Sequence, residues 1–240
     1  MICPSALLNI ARRIHYKLPL WALTRKGRWV RREYVRFGQD QRNFLFMSIA
    51  RFLHINRPVP GYYFEFGCNE ANTMRKAWDH FQYLFDFTYV GFDSFEGLPE
   101  ITKIDQQAIW EKGKLAFPEE RFIKLVLSRG MPADKLLTVK GFFDVSLTKL
   151  LKERLLPTKA AVIYIDCDLY ASTVPVLDWI VDFLQVGTVV VFDDWYCFHG
   201  NPQRGEQLAW REFRQRHPEL RFADFVKTNE AVSFIYVGRD

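Results

Sequence analysis

The sequence predicts an α/β protein with a doubly wound, mostly parallel sheet of seven strands that closes with an antiparallel pair. Three observations predict it. After residue 60, short apolar runs alternate with longer amphipathic stretches, the pattern of strand–helix–strand units. Carboxylates follow the ends of several of these runs. The last two runs lie so close together in the chain that a hairpin is the natural connection.

Five apolar runs have the length and residue types of buried strands, and helical stretches separate them. A sixth and a seventh run form the terminal pair. Such a closing pair is typical of Rossmann-like class I methyltransferases, whereas dehydrogenases continue with parallel units. The predicted strands are residues 61–67, 87–95, 135–143, 160–168, 187–194, 221–227 and 231–238, and the predicted helices are 72–83, 119–130, 145–154, 173–185 and 205–216.

Composition limits the function classes. Of 240 residues, 49% are hydrophobic and 22 are phenylalanine, so the chain forms a sizeable core and is not disordered. No run approaches the roughly 18–20 apolar residues that span a bilayer. The first residues lack the order of a secretory signal. Four scattered cysteines have no spacing suited to zinc or a disulfide framework, so we expect a cytoplasmic protein.

Charge is distributed unevenly along the chain. Residues 1–60 carry twelve basic and two acidic side chains, a balance of +10, and the remaining residues balance to −5. We therefore predict a basic helical N-terminal module (1–60) and a cofactor-binding domain (61–240), divided at the Pro/Gly break 56–61. The module's role stays open between an anionic membrane surface at the inner face, a substrate lid, a contact in a homo-oligomer, and a solvated helical face. Nucleic acid is not expected, because no groove-reading motif accompanies the charge.

Three carboxylates follow two neighbouring strands. Asp193 and Asp194 come 27 and 28 residues after Asp166, which is one strand–helix–strand unit. Three such carboxylates in one pocket repel one another, and a magnesium ion relieves that repulsion. The sequence therefore predicts that Asp166, Asp193 and Asp194 bind Mg²⁺. The alternative is an aspartate pair satisfied by backbone amides and Arg204. Asp168 is expected to point away from this pocket or into the following turn, because side chains alternate along a strand.

Residues at the ends of the first and second predicted strands indicate a cofactor that contains a ribose. Gly67 lets the backbone after the first strand pass close to a ligand. Asp93 lies 26 residues beyond it, near the spacing at which an acid holds a ribose diol. A pyrophosphate-bearing cofactor fits poorly, because one glycine stands where a dinucleotide fingerprint has three.

Several segments resemble one family in detail. They are YVGFDSFEGLPE (89–100), WEKGKLAFPEERFIKLVLSRGMP (110–132), KGFFDVSL (140–147), YIDCDLYASTVPVLDW (164–179) and VVVFDDW (189–195). From about residue 60 to 216 the chain resembles the macrocin O-methyltransferase (TylF-like) family, whose members methylate sugar hydroxyls in natural-product glycosides. The resemblance implies a class I methyltransferase fold, S-adenosyl-L-methionine as cofactor and a requirement for Mg²⁺.

The resemblance also implies site residues. It places the methionine part of the cofactor over the first strand and its loop, the ribose at the second strand and the adenine beside the third. It gives the aspartates of the fourth and fifth strands to the metal, and Asp166 also to proton removal. The implied cofactor residues are Glu65, Gly67, Thr73, Asp93, Ser94, Gly141 and Phe142, and the implied metal ligands are Asp166, Asp193 and Asp194.

The sequence departs from the family pattern at two places. Ala71 stands where the first loop of the family has a second glycine, and Asn69–Glu70 brings an extra charge into that loop. The segment 195–210 is longer than the simplest family pattern, so the acceptor is expected to differ from macrolide sugars.

These observations predict an O-methyltransferase that acts on a sugar or glycoside hydroxyl. Asp166 is the predicted base, and His199, on a loop after the fifth strand, is the alternative. The aromatic residues Tyr170, Trp195, Tyr196 and Phe198 form either a wall for a sugar or part of the core. Two other functions stay open: methylation of a lipid-linked or surface-glycan precursor, and a cofactor-binding scaffold without turnover.

Overall fold

The computed structural model describes residues 24–57 and 59–240. Within them, a long first helix is followed by six further α-helices and seven strands, and 3₁₀ turns occupy 133–135, 181–183 and 198–200. The helices are α1 (Arg25–Ile55), α2 (Asn72–Phe81), α3 (Glu119–Leu127), α4 (Phe143–Ser146), α5 (Lys149–Leu155), α6 (Tyr170–Ile180) and α7 (Gly205–Arg216). The strands are β1 (Tyr62–Phe66), β2 (Thr88–Asp93), β3 (Leu136–Lys140), β4 (Ala160–Ile165), β5 (Val189–Phe192), β6 (Leu220–Lys227) and β7 (Val232–Arg239).

The seven strands form one sheet in the order β3-β2-β1-β4-β5-β7-β6. The first five are parallel, and β7 pairs antiparallel with both β5 and β6. The prediction of a doubly wound sheet closed by an antiparallel hairpin is confirmed. The order of strands reverses between β1 and β4, which is where open α/β sheets bind their ligands.

Side chains alternate along β1 to serve two cores. Tyr63 packs on one face of the sheet with α2, α3 and residues 45–53 of α1, while Phe64 and Phe66 pack on the other face with α5, α6 and α7. Each β4 residue is buried, as both faces are covered. The continuous apolar runs of the sequence follow from this double burial.

One predicted helix is two helices in the structure. The stretch 145–154 divides into α4 and α5 because Thr148 starts a new helix, its Oγ1 accepting a hydrogen bond from Leu151 N at 3.1 Å. The predicted helix at 173–185 begins earlier, at Tyr170, and ends at Ile180.

The chain divides into two compact units between Phe44 and Leu45. The unit that begins at Leu45 contains the whole sheet. The division of function at residues 60 and 61 stays a prediction, and the helices predicted before residue 24 lie outside the described residues. Among the described helices, none combines the length and the apolar character needed to cross a bilayer.

The exits of β1 and β4 touch at Gly67. Its φ is +89°, and a Cβ built there would lie 1.8 Å from the backbone oxygen of Asp166. Gly67 N also donates to Phe92 O at 2.9 Å, which ties the same residue to β2. Only glycine leaves room for the three central strands to end side by side.

We expect Gly67→Ala to lower the free energy of unfolding by at least about 3 kcal/mol, because backbone strain and a backbone clash add. Gly130→Ala is the matched control, since Gly130 has φ +97° but open space around its Cβ position. It should cost only about 1–2 kcal/mol. Urea unfolding of both variants measures the difference, and equal losses would contradict the close approach at Gly67.

Candidate active site

The loop after β1 is held by the carboxylate at the end of β2. Asp93 Oδ2 accepts hydrogen bonds from Cys68 N at 2.6 Å and Asn69 N at 3.3 Å, and its Oδ1 accepts one from Phe95 N at 2.6 Å. Asp93 thus fixes the first loop through backbone amides, a contact that spacing alone did not predict. Its binding of a ribose stays a prediction.

The other predicted cofactor residues lie around this carboxylate or in the elements beside it. Ser94 Oγ donates to Gly97 O at 2.8 Å and accepts from Glu96 N, so it shapes the turn after β2. Gly141 N donates to Asp93 O at 2.9 Å, which brings the end of β3 to the same edge, and Phe142 follows as the cap of α4. Thr73 is buried in the first turn of α2.

Glu65 lies within β1 and is fully buried. Its Oε2 accepts a hydrogen bond from Tyr63 OH at 2.8 Å. It therefore has a structural partner on its own strand, and its part in cofactor binding remains a prediction.

Ala71 adopts the left-handed conformation, with φ 60° and ψ 16°, directly before α2. This conformation costs a non-glycine residue about 1–2 kcal/mol. The conformation explains why glycine suits this position.

Carboxylates meet where β4 and β5 end. Asp194 Oδ2 accepts a hydrogen bond from Asp168 N at 3.1 Å, and the Cys197 thiol donates to Asp194 Oδ1 with a sulfur–oxygen distance of 3.4 Å. Among the described residues, Asp168, Asp194 and Cys197 form the one group of metal-binding donors that all lie within 4.8 Å of one another. The Asp166 side chain interacts with Asp194, which partly offsets the burial and the repulsion from Asp193 that raise the pKa of Asp194.

The expectation that Asp168 points away from this pocket is wrong. The strand ends at Ile165, and Asp168 has φ 59°, so side-chain alternation no longer applies to it. The turn aims the Asp168 side chain at Asp194, and burial and then repulsion from Asp194 raise the pKa of Asp168 well above its usual value.

One further buried carboxylate lies beside Asp194 and was not predicted from the sequence. Glu206, in the first turn of α7, is almost fully buried, and its Oε2 accepts from Asp194 N at 3.1 Å. Its Oε1 is buried without a hydrogen-bond partner. Its place at the start of a predicted helix was the available signal, but an acid there is usually explained by the helix dipole.

Burial leaves these acids poorly stabilised as anions. Burial and then repulsion from Asp193 raise the pKa of Asp194 from 3.8 to about 6, and burial and then Asp194 raise the pKa of Glu206 well above its usual value. Arg204 does not neutralise Asp194, since its guanidinium donates to Gln106 O at 3.0 Å. Burial also raises the pKa of the Cys197 thiol, which keeps it protonated.

The side chain of Asp193 is fixed by a hydrogen bond from β4. Tyr164, in the buried part of β4, donates its hydroxyl hydrogen to Asp193 Oδ1, and the Tyr164 ring stacks on Phe46 with centroids 5.7 Å apart. Asp193 N donates to Ile165 O at 2.9 Å, so this residue extends the pairing of β4 and β5. Asp193 and Asp166 both lie outside the donor group defined above, and their roles as metal ligands stay predictions.

His199, the alternative base, is exposed, whereas two of the predicted aromatic residues pack against apolar side chains. His199 is exposed at φ 60° and has no hydrogen bond within the described part of the chain. Trp195 packs on Phe192 and Phe234, and Phe198 is buried in an apolar cluster with Leu98 and Leu169. Packing therefore accounts for Trp195 and Phe198.

A long segment without helix or strand, residues 94–118, lies next to the carboxylates. It is fixed by Asp105, a fully buried side chain that accepts from Tyr170 N at 2.7 Å and Ala171 N at 3.1 Å. Asp105 therefore caps α6 from a distant part of the chain. Sequence reasoning missed this contact because nothing in the local pattern pairs residues so far apart.

Comparison with known proteins identifies the family. The model of the macrocin O-methyltransferase (TylF) family matches residues 55–222. The chain belongs to this family. The resemblance inferred from the sequence motifs is thereby confirmed, and the TylF match covers every strand from β1 to β5 together with α7 and the start of β6. No curated protein matches the sequence.

Solved structures agree with the TylF assignment at the level of fold. The O-methyltransferase NovP has 21% identity and a TM-score of 0.65, with 83% of this chain and 80% of NovP covered. The calicheamicin methyltransferase CalS11 has 20% identity and a TM-score of 0.67, with 98% and 94% covered. Cofactor-bound Rv0187 from MTB has 15% identity and a TM-score of 0.54, with 84% and 81% covered.

We expect Asp194→Asn to stabilise the metal-free protein. Because the folded pKa of Asp194 is raised to about 6, its stabilising contribution is complete below about pH 4 and is lost as pH rises through 6. At pH 7.5 without metal, the variant should melt several degrees above the wild type, with about 2–4 °C for each kcal/mol gained. Thermal unfolding in a chelating buffer measures this shift.

Asp224→Asn is the matched control, since Asp224 is exposed on β6. It should leave the melting temperature unchanged. A variant at Asp194 that melts below the wild type in the metal-free buffer would contradict the proposed crowding of charge.

Proposed function

We propose that the protein is an S-adenosylmethionine-dependent, Mg²⁺-assisted O-methyltransferase that acts on a sugar or glycoside hydroxyl. One observation carries the proposal: in a chain of the TylF family, carboxylates that are partly or fully buried meet where β4 and β5 end, next to the loop that Asp93 holds at the end of β2. The names of NovP and CalS11, an O-methyltransferase and a calicheamicin methyltransferase, agree with this reaction class.

The chemistry of the donor set fits a hard divalent cation. The oxygens of Asp194 and Asp168 face each other, Glu206 Oε1 is buried without a partner, and no ion pair within the described residues neutralises these three acids. A protonated Cys197 is a poor ligand, which favours an oxygen-binding ion over zinc. We propose Asp194 as the central ligand, with Asp168 beside it in the donor group, and Asp166 and Asp193, which the sequence also predicts as ligands, next to it.

When bound, S-adenosylmethionine supplies an electrophilic methyl group, and Mg²⁺ lowers the pKa of a hydroxyl. The chain positions the acceptor and removes its proton. The first loop, fixed by Asp93, holds the cofactor side, and the ends of β4 and β5 hold the acceptor side. Asp166, the predicted base, and Asp168 both lie beside Asp194. Burial and then repulsion from Asp194 raise the pKa of Asp168, which suits a group that accepts a proton during the reaction.

The reaction is tested with labelled S-adenosylmethionine and a panel of nucleotide sugars, glycosides and lipid-linked glycans. We expect one acceptor to gain a single labelled methyl group, detected by mass spectrometry. Excess chelator should abolish turnover, and Mg²⁺ should restore it. Full turnover in chelator would remove the metal from the mechanism, and no labelled product with any acceptor would favour a scaffold.

Substitutions distinguish a metal ligand from the general base. Asp166→Asn should lower kcat about 10²–10⁴-fold if Asp166 takes the proton, the usual contribution of a general base. Asp168→Asn should have that effect instead if Asp168 is the base. The apparent Mg²⁺ affinity, measured separately by calorimetry, identifies a ligand. His199→Ala is the control, and a loss of kcat comparable with either aspartate variant would move the proton to His199.

Asp93→Ala should weaken S-adenosylmethionine binding by about 1.5–3 kcal/mol, because a charged acceptor of hydrogen bonds is lost. Since Asp93 also holds Cys68 N, the melting temperature must be measured beside the affinity. Asp105→Ala removes a buried carboxylate of the neighbouring segment and serves as a control for loop order. Unchanged affinity in Asp93→Ala would overturn the ribose assignment.

A further inference from the structure

The first half of α1 presents two different surfaces to solvent. Residues 25–44 carry seven basic and two acidic side chains, a balance of +5 within twenty residues. They lie before the segment matched by the TylF family, which begins at residue 55. The charge and the exposed apolar side chains of this segment therefore need an explanation that the family does not supply.

One surface is basic. Arg25, Arg28, Arg32 and Arg36 recur at intervals of three and four residues, so they line one side of the helix. Arg31 lies beside this stripe. Within the described residues, Arg25, Lys26, Arg31 and Arg32 have no acidic partner within 4.0 Å, whereas Arg36 is paired with Glu33 at 2.7 Å.

The opposite surface is apolar and exposed. Val30, Tyr34, Phe37 and Phe44 recur at intervals of four, three and seven residues, about half a turn away from Arg32. Tyr34 is 75% exposed, Phe44 57% and Phe37 51%. So many large apolar side chains in contact with water mark an interaction surface.

We propose that residues 25–44 of α1 bind the surface of an anionic lipid bilayer. A helix with a strongly basic side and Val, Tyr and Phe on the other lies in the plane of the membrane interface. The apolar side enters the boundary between headgroups and acyl chains, and the arginines bind lipid phosphates. No described helix crosses a bilayer, so the attachment is peripheral.

Charge complementarity favours lipid over a second copy of the chain as the occupant. Two copies joined through this segment would bring two sets of +5 together, and the described part of the segment offers only Glu33 and Asp40 as compensation. An anionic bilayer neutralises every arginine that reaches it, with about 1 kcal/mol for each basic residue near the surface.

The full-length protein is tested by co-sedimentation with vesicles of phosphatidylcholine containing about one third phosphatidylglycerol, and with pure phosphatidylcholine vesicles. We expect binding to the anionic vesicles that weakens between low salt and about 0.15 M salt, where charges are screened within about 8 Å. Arg31→Gln/Arg32→Gln should weaken binding about 25-fold, since about 1 kcal/mol is about fivefold for each charge. Tyr34→Gln/Phe37→Gln should weaken it without changing its salt dependence.

The matched control is Lys124→Gln/Arg154→Gln, which removes two exposed charges from α3 and α5. It should bind vesicles like the wild type, and circular dichroism should show that every variant is folded. Equal loss in the control and in Arg31→Gln/Arg32→Gln would overturn the proposal. So would the absence of wild-type binding at low salt, or a dimer that Tyr34→Gln/Phe37→Gln dissociates while vesicles are not bound.

Discussion

The contact between Gly67 and the backbone of Asp166 decides how the site is assembled. The parallel pairing of β1 with β4 at the centre of the sheet brings the exits of these strands together. A side chain at Gly67 would collide with the Asp166 carbonyl, so the two exits adjoin only because the first is glycine. The loop held by Asp93 and the carboxylates after β4 then share one edge of the sheet, although about a hundred residues separate them in the chain.

This arrangement concentrates negative charge at a site that is only partly accessible to water. Asp168, Asp194 and Glu206 are each less stable as anions than they would be in water, because burial removes solvation and the acids repel one another. A fold that served stability alone would place apolar residues there. The cost is consistent with a site that is completed by a cation, and it explains why the carboxylates need an anchored frame such as the Tyr164 hydrogen bond below Asp193.

The sequence predicts the strands that position this site better than it predicts which side chains meet there. Strands that are buried on both faces have no polar periodicity, so β4 and β5 appear in the sequence as continuous apolar runs. The order of elements then restricts the sheet to few topologies. Side-chain directions beyond the strand ends follow from backbone conformations that the sequence does not reveal. Asp168 turns into the site because its φ is positive, and Glu206 reaches Asp194 only when α7 has packed on the sheet.

The position of residues 94–118 is likewise not predictable from the local sequence. It contains no helix or strand, and loops of this length usually need either a function or an anchor. Asp105 supplies the anchor: its buried carboxylate is stable because it accepts amide hydrogens at the N-terminus of α6 and the Thr102 hydroxyl at 3.1 Å. Leu98 packs against Leu169, the residue after Asp168, so the segment is fixed beside the carboxylates. The acids at the ends of β4 and β5 and the segment that is fixed beside them thus come from different parts of the chain, and Asp105 and Leu98 join the two.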